Sequence, residues 1–295
     1  MRRTFAILRR TAVAFYDDQM TQHAAALTYY SLMSLFPAAL LAISLLGLVG
    51  EYPATYNAII GYLKNVAPDS AVVPLDSSLH TALQHKGTAA TTLVISIFLA
   101  FYGTTGVLEA ARRAMNVIYD VKHGRRFLTR KAIDVATSIV LMLMVLTTLV
   151  LIFVGGRFAD DLLGFIGIGG DGAQIWSLVR WPLAVGVAML GFAGIYYVIP
   201  DVRHRSFRSA LPGAVVAVLL WLVASFAFST YISRVADVGA LYGAFAGAIV
   251  LVAWLWLTNV AMLFGAELNA EVERQKELEA GIPHHETLEL EARRG

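Results

Sequence analysis

Residues 132–156 read AIDVATSIVLMLMVLTTLVLIFVGG and follow Arg125, Arg126, Arg130 and Lys131. The run is apolar almost without interruption. It does not alternate apolar and polar residues, as a barrel strand does over about ten positions. In hydrocarbon only a helix or a closed barrel satisfies the backbone hydrogen bonds, so the run is expected to be a helix. At 1.5 Å per residue roughly 20 residues cross a bilayer, and this stretch is long enough.

Five further runs share this character: 24–50, 89–110, 175–200, 210–233 and 240–266. The predicted fold class is therefore all-α, a polytopic membrane bundle of six transmembrane helices. Bulk composition agrees. Of 295 residues, 58% are hydrophobic and 15% charged, against about 25% charged in soluble domains. That apolar excess is more than one buried core can absorb, and lipid is the simplest medium to take it.

The cytoplasmic ends of membrane spans collect Lys and Arg. Here the arm before the first run holds Arg2, Arg3, Arg9 and Arg10. The segment after the second holds Arg112, Arg113, Lys122, Arg125, Arg126, Arg130 and Lys131. Arg203, Arg205 and Arg208 follow the fourth, and Arg274, Lys276, Arg293 and Arg294 follow the sixth. Lys64, Lys86, Arg157, Arg180 and Arg234 fall in the other connections, so eighteen of 23 basic residues gather on one side. Every second connection is basic, which predicts both termini in the cytoplasm of a bacterial inner-membrane protein. Membrane-proximal Arg112, Arg113, Arg125 and Arg126 are then expected to meet anionic lipid headgroups. Lipid, not nucleic acid, is the partner this pattern calls for.

The parts outside the spans are short. Residues 1–23 form a cytoplasmic arm with Phe5, Leu8, Ala12, Phe15 and Tyr16 on one helical face and arginines mostly beside it, the pattern of an interfacial amphipathic helix. Arg9, Arg10, Asp17 and Asp18 interrupt the first twenty residues, so no cleavable signal is expected. The external loop 51–88 carries Ile59, Ile60, Leu63, Val66, Leu79 and Leu83 at roughly helical spacing. It suits either short surface helices or a small soluble cap. Residues 267–295 are expected to be a charged tail, helical at first and partly disordered beyond.

Chemistry-bearing motifs are sparse. With no cysteine, disulfides and thiolate sites are excluded. His284 and His285 in the tail make a solvated pair and not a metal site. There is no P-loop, no HExxH and no nucleophile elbow, so the residues ask for no cofactor and no metal. The handles on mechanism are polar residues at the span ends, because each is costly there. Glu109 and Glu267 close the second and sixth spans, with Asn116 and Asn269 nearby. Both spans run inward, so the four residues are expected at one depth, around a cytoplasm-facing opening. The alternative is an ion-pair network in which Arg112 or Arg113 neutralises the carboxylates. Gly239, Gly243 and Gly247 recur every fourth residue and predict close helix packing by the sixth span. Pro37 is expected to kink the first.

Several of these stretches resemble the YihY/BrkB family. Ala24 through Leu32 with Ser34-Leu35-Phe36-Pro37 is similar to its first span. Tyr102-Gly103 to Ala114-Met115-Asn116 looks like its second. Pro200, Leu211-Pro212-Gly213 and Trp221 resemble its fourth-to-fifth hairpin, and Tyr242-Gly243, Trp254 and Gly265 through Ala270 its last span. The resemblance implies a six-span bacterial inner-membrane protein whose ribonuclease label is mistaken, with a role in transport of lipid or envelope components. The expected function is a candidate transporter of unknown substrate. A non-transporting scaffold is the alternative, and ribonuclease activity is disfavoured because the cytoplasmic segments are too short to build a metal or acid–base site.

Overall fold

A computed structural model describes residues 2–49, 56–57, 60–61, 76, 80, 86–121, 124–153, 172–202, 206–234 and 244–280. In chain order the helices are α1 (Arg2–Asp17), α2 (Met20–Val49), α3 (Lys86–Ile118), α4 (Phe127–Phe153), α5 (Gly172–Val198), α6 (Leu211–Arg234) and α7 (Ala244–Glu279), with a 3₁₀ turn at Phe207–Ala210 before α6. No strand occurs among the described residues. Four helices there are long and apolar enough to cross a membrane, within α3, α5, α6 and α7. Their outward faces carry large apolar side chains at helical spacing: Ile95, Phe98 and Tyr102 on α3, and Leu219, Leu222, Val223 and Phe226 on α6. Water would be a poor neighbour for such stripes, and lipid a good one.

The chain divides into two compact units, one of Met1–Ala26, Leu108–Tyr231 and Trp256–Gly295, the other of Leu27–Val107 and Ile232–Leu255. In the second unit α2 stays helical through Pro37, although that proline leaves the Met33 carbonyl without its helical donor. A Cβ on Gly103 would stand 3.0 Å from Ser34, and one on Gly106 would stand 3.1 Å from Tyr30. These glycines allow α2 and α3 to approach closely. Most of the 51–88 loop lies outside the described residues. Within it the Tyr56 hydroxyl donates to Asp76 Oδ1 at 2.5 Å.

The first unit holds the tightest crossing. A Cβ on Gly213 of α6 would collide with the Gly265 carbonyl of α7, and one on Gly265 would lie 2.5 Å from the Gly213 carbonyl and 2.7 Å from Ala217. The Tyr196 hydroxyl of α5 donates to the Met262 carbonyl at 2.6 Å. Around this crossing Ala261, Leu263, Ala266, Leu268 and Ala270 are buried. The packing expected of Gly247 is corrected here. Gly247 is exposed, and a Cβ there meets nothing within 4 Å. Gly239 and Gly243 lie outside the described residues. The buried half of α7 is therefore its later half, because glycine there faces glycine on α6.

That helix also continues past the apolar run. The charged segment expected to begin a tail at residue 267 is helical to Glu279, and Glu271, Glu273 and Glu277 are buried. The physical reason is that α1 packs on it. Arg10 Nε pairs with Glu271 Oε2 at 3.0 Å, Arg10 Nη2 donates to Gln275 at 2.7 Å, and Phe15 meets Phe264 with ring centroids 5.7 Å apart.

Candidate functional site

Two clusters of buried charge lie in the first unit. The first is built around the end of α5. Pro200 disfavours helical geometry at Ile199 and ends the helix, leaving the last α5 carbonyls without helical donors. Two guanidiniums supply them. Arg112 Nε donates to the Ile199 carbonyl at 3.2 Å. Arg125 Nη1 donates to the Val198 carbonyl at 2.9 Å and its Nη2 to the Pro200 carbonyl at 3.2 Å. Positive charge is also favoured at a helix C-terminus.

The carboxylates complete the arrangement. Both terminal nitrogens of Arg112 reach Asp134, which is fully buried on α4. Asp201 Oδ1 lies 3.8 Å from Arg112 Nε and 3.5 Å from Arg125 Nη1. Asn116 donates to Asp201 Oδ2 at 3.0 Å and accepts from the Asp201 backbone N–H at 3.0 Å. Glu109 faces Arg112 at 3.2 Å, Arg113 at 3.5 Å and Arg130 at 3.6 Å. The Gly124 backbone presses on Asp201 so closely that a Cβ would clash. Every charge in this cluster has an opposite charge against it.

The second cluster surrounds Glu267, which is 1% exposed on α7. Among the described residues its Oε2 has no hydrogen-bond partner, and no ion pair engages it. The charges acting on it are Asp18, Glu271 and Asp120, all negative, and one cation, Arg274. Arg274 itself pairs with Glu271 and lies 3.9 Å from Asp120. Burial raises the Asp18 carboxyl above its usual range, Asp120 raises it further, and Arg274 opposes the shift. Asp120 adopts φ 52° in the turn that ends α3, and Gln19 adopts φ 54° between α1 and α2. Both are left-handed positions that favour glycine. The α3 end has the Schellman pattern, with Val121 N–H on the Asn116 carbonyl and Asp120 N–H on that of Val117.

The four polar residues anticipated from the sequence thus fall into two pairs. Glu109 and Asn116 belong to the ion-paired cluster through Arg112 and Asp201. Glu267 and Asn269 sit on α7, and Glu109 and Glu267 share no partner among the described residues. Asn269 plays a structural part. Its Oδ1 accepts from the Gly213 N–H at 2.7 Å and its Nδ2 donates to the Ala210 carbonyl at 3.1 Å. It caps α6 from another helix. The ion-pair alternative describes Glu109, and it corrects the headgroup role for two arginines. Arg112 and Arg125 are 1% and 5% exposed and spent on protein groups, whereas Arg113 and Arg126 are exposed. Sequence reasoning missed Asp134 and Asp201. The signal for Asp134 was visible, an ionisable residue inside an apolar run. Among the described residues no group of three His, Cys, Asp or Glu is arranged to hold a metal.

Comparison with known proteins adds the following. A family model described as Virulence factor BrkB matches residues 11–288. A ribonuclease-like protein of Bacillus subtilis, YfkH, is 30% identical over 88% of this chain and 93% of its own length. A UPF0761 membrane protein of Pseudoalteromonas translucida is 30% identical over 86% of this chain and 81% of its own. Another from Aliivibrio salmonicida is 27% identical over 86% and 79%. No solved structure matches the chain.

Proposed function

The chain belongs to the virulence factor BrkB family of membrane proteins, and on that premise we propose that it is a six-span protein of the bacterial inner membrane, both termini cytoplasmic, that handles a lipid or another envelope component. Support for the topology comes from the alternation of basic and non-basic connections. Support for a handling role comes from one observation. Glu267 holds a buried carboxylate oxygen without a donor, among three other carboxylates. A buried polar oxygen without a donor costs free energy, and function is a common reason a fold retains it.

The test uses full-length protein in vesicles carrying a fluorescent phosphatidylglycerol, with dithionite added outside. The protein is expected to accelerate loss of inner-leaflet fluorescence over protein-free vesicles. Glu267→Gln is expected to abolish most of that acceleration while still folding. Equal rates with and without protein would overturn the lipid reading.

A second reading, a non-transporting assembly partner, is favoured by the ion pairing of the Glu109 cluster, in which Glu109, Asp134 and Asp201 each face an arginine. On either reading the ribonuclease-like description of the Bacillus relative does not carry over. A general base needs reach to its substrate, and Asp134 and Asp201 are 0% and 1% exposed and locked to arginines. Purified protein is expected to leave RNA intact with any divalent metal. Cleavage abolished by one acidic substitution would reverse this.

A further inference from the structure

Helix α1 has two unlike sides. One is fastened to α7 by Arg10 and by buried Phe15. The other turns Phe5, Leu8, Val13 and Tyr16 outward, with Phe5 72% and Tyr16 80% exposed. Arg9 stands on that outward side and, unlike Arg10, has no ion pair or hydrogen bond among the described residues. Beside it runs an open groove of about 530 Å³, lined by Ala6, Arg9, Arg10, Val13, Ala14 and Asp17 of α1 and by Glu271 of α7, the last already paired with Arg10. The Arg9 guanidinium, on the same side of α1 as exposed Phe5, Val13 and Tyr16, complements one chemistry in particular. That chemistry is a phosphodiester joined to an acyl chain.

The chain itself supplies that partner. After the left-handed Gln19, α2 starts at Met20 and continues through Val49, over the first of the apolar runs expected to span. A segment tethered this close to a bilayer meets the leaflet at an effective concentration that a diffusing protein does not match. We propose that α1 lies in the surface of the lipid leaflet beside it, with the groove at Arg9 taking the phosphate of an anionic phospholipid. The assignment does not rest on Glu267 and holds equally for a transporter or an assembly partner. It moves the headgroup contact from Arg112 and Arg125, which are buried, to α1.

The absence of cysteine makes a direct test available. Phe5→Cys and Tyr16→Cys are each spin-labelled in the full chain and placed in phosphatidylglycerol vesicles. Both labels are expected to be relaxed more by oxygen than by a water-soluble nickel chelate. Adding Arg9→Glu is expected to shift both toward the nickel chelate, and glycerophosphate in solution is expected to change nothing. Preferential nickel access in the parent background would overturn the proposal. So would spin–spin broadening between copies, which would put a second chain on this face. Displacement by glycerophosphate would make the groove a site for a soluble phosphate ester instead.

Discussion

At the end of α5, Asp134, Asp201 and Glu109 each stand in an ion pair with Arg112, and Asp201 with Arg125 as well, although Asp201 Oδ1 has no hydrogen-bond donor among the described residues. Around Glu267, Arg274 and Arg10 both pair with Glu271, no ion pair engages Glu267 itself, and its Oε2 has no donor among the described residues. Both clusters lie at the ends of apolar helices in the same unit, so the difference is not one of environment class. It is one of pairing. A paired cluster explains itself as structure, since its arginines satisfy carbonyls that Pro200 strands. An unpaired carboxyl costs free energy that the fold does not recover locally.

That contrast can be broken by substitution. The largest effect is expected at Arg112. Arg112→Ala strands the buried Asp134 carboxylate and the Ile199 carbonyl, and unfolding in detergent should show a loss of about 3–5 kcal/mol. Combining Arg112→Met with Asp134→Leu should restore much of it, because the pair is then replaced by apolar groups. If the single and double variants melt alike, the cluster is not the matched unit described here.

Next in size is the α6–α7 crossing. Gly213→Ala or Gly265→Ala forces backbone apart and should cost about 1–3 kcal/mol. Gly247→Ala, with open space around it, should change stability by less than about 0.5 kcal/mol. A thermal melt of the three variants side by side decides it, and equal losses would mean that Gly247 is packed after all.

Glu267→Gln is expected to move stability the other way. Removing a buried carboxyl without a donor should raise stability by on the order of 1 kcal/mol. A loss of similar size would make Glu267 structural and erase the contrast between the clusters. The smallest effect is expected at Asp120. Asp120→Gly relieves the left-handed backbone, worth about 1 kcal/mol, and sacrifices only a half-exposed contact with Arg274 of a few tenths. Chemical denaturation should show a small net gain, and a net loss would mean that the Asp120 charge matters more to this cluster than its backbone strain does.

Much of the architecture was legible because hydrophobic length is a local property. The run 132–156 announces a helix without reference to any neighbour, and α4 covers Phe127–Phe153. What the helices do with their ends was not local. The sixth run stops being apolar near Ala266, yet α7 continues to Glu279 because α1, 261 positions earlier at the Arg10 contact, covers it. Arg112 and Arg125 looked like headgroup arginines because a basic segment after a span carries that meaning by default. Their true partners are carbonyls 73 to 87 residues away, a pairing that no spacing rule encodes. Glu267 and Asn269 stood out by depth alone, and depth did not distinguish the unpaired carboxylate from the helix cap two residues later.

The clasp between Arg10 and Glu271 also bears on how the protein is made. Ribosomes deliver α1 first and the end of α7 last, with a separation of 261 residues between the two partners. Until α7 is made, Arg10 lacks its Glu271 partner and Phe15 its contact with Phe264. A chain cut short before residue 271 would therefore leave α1 without this clasp.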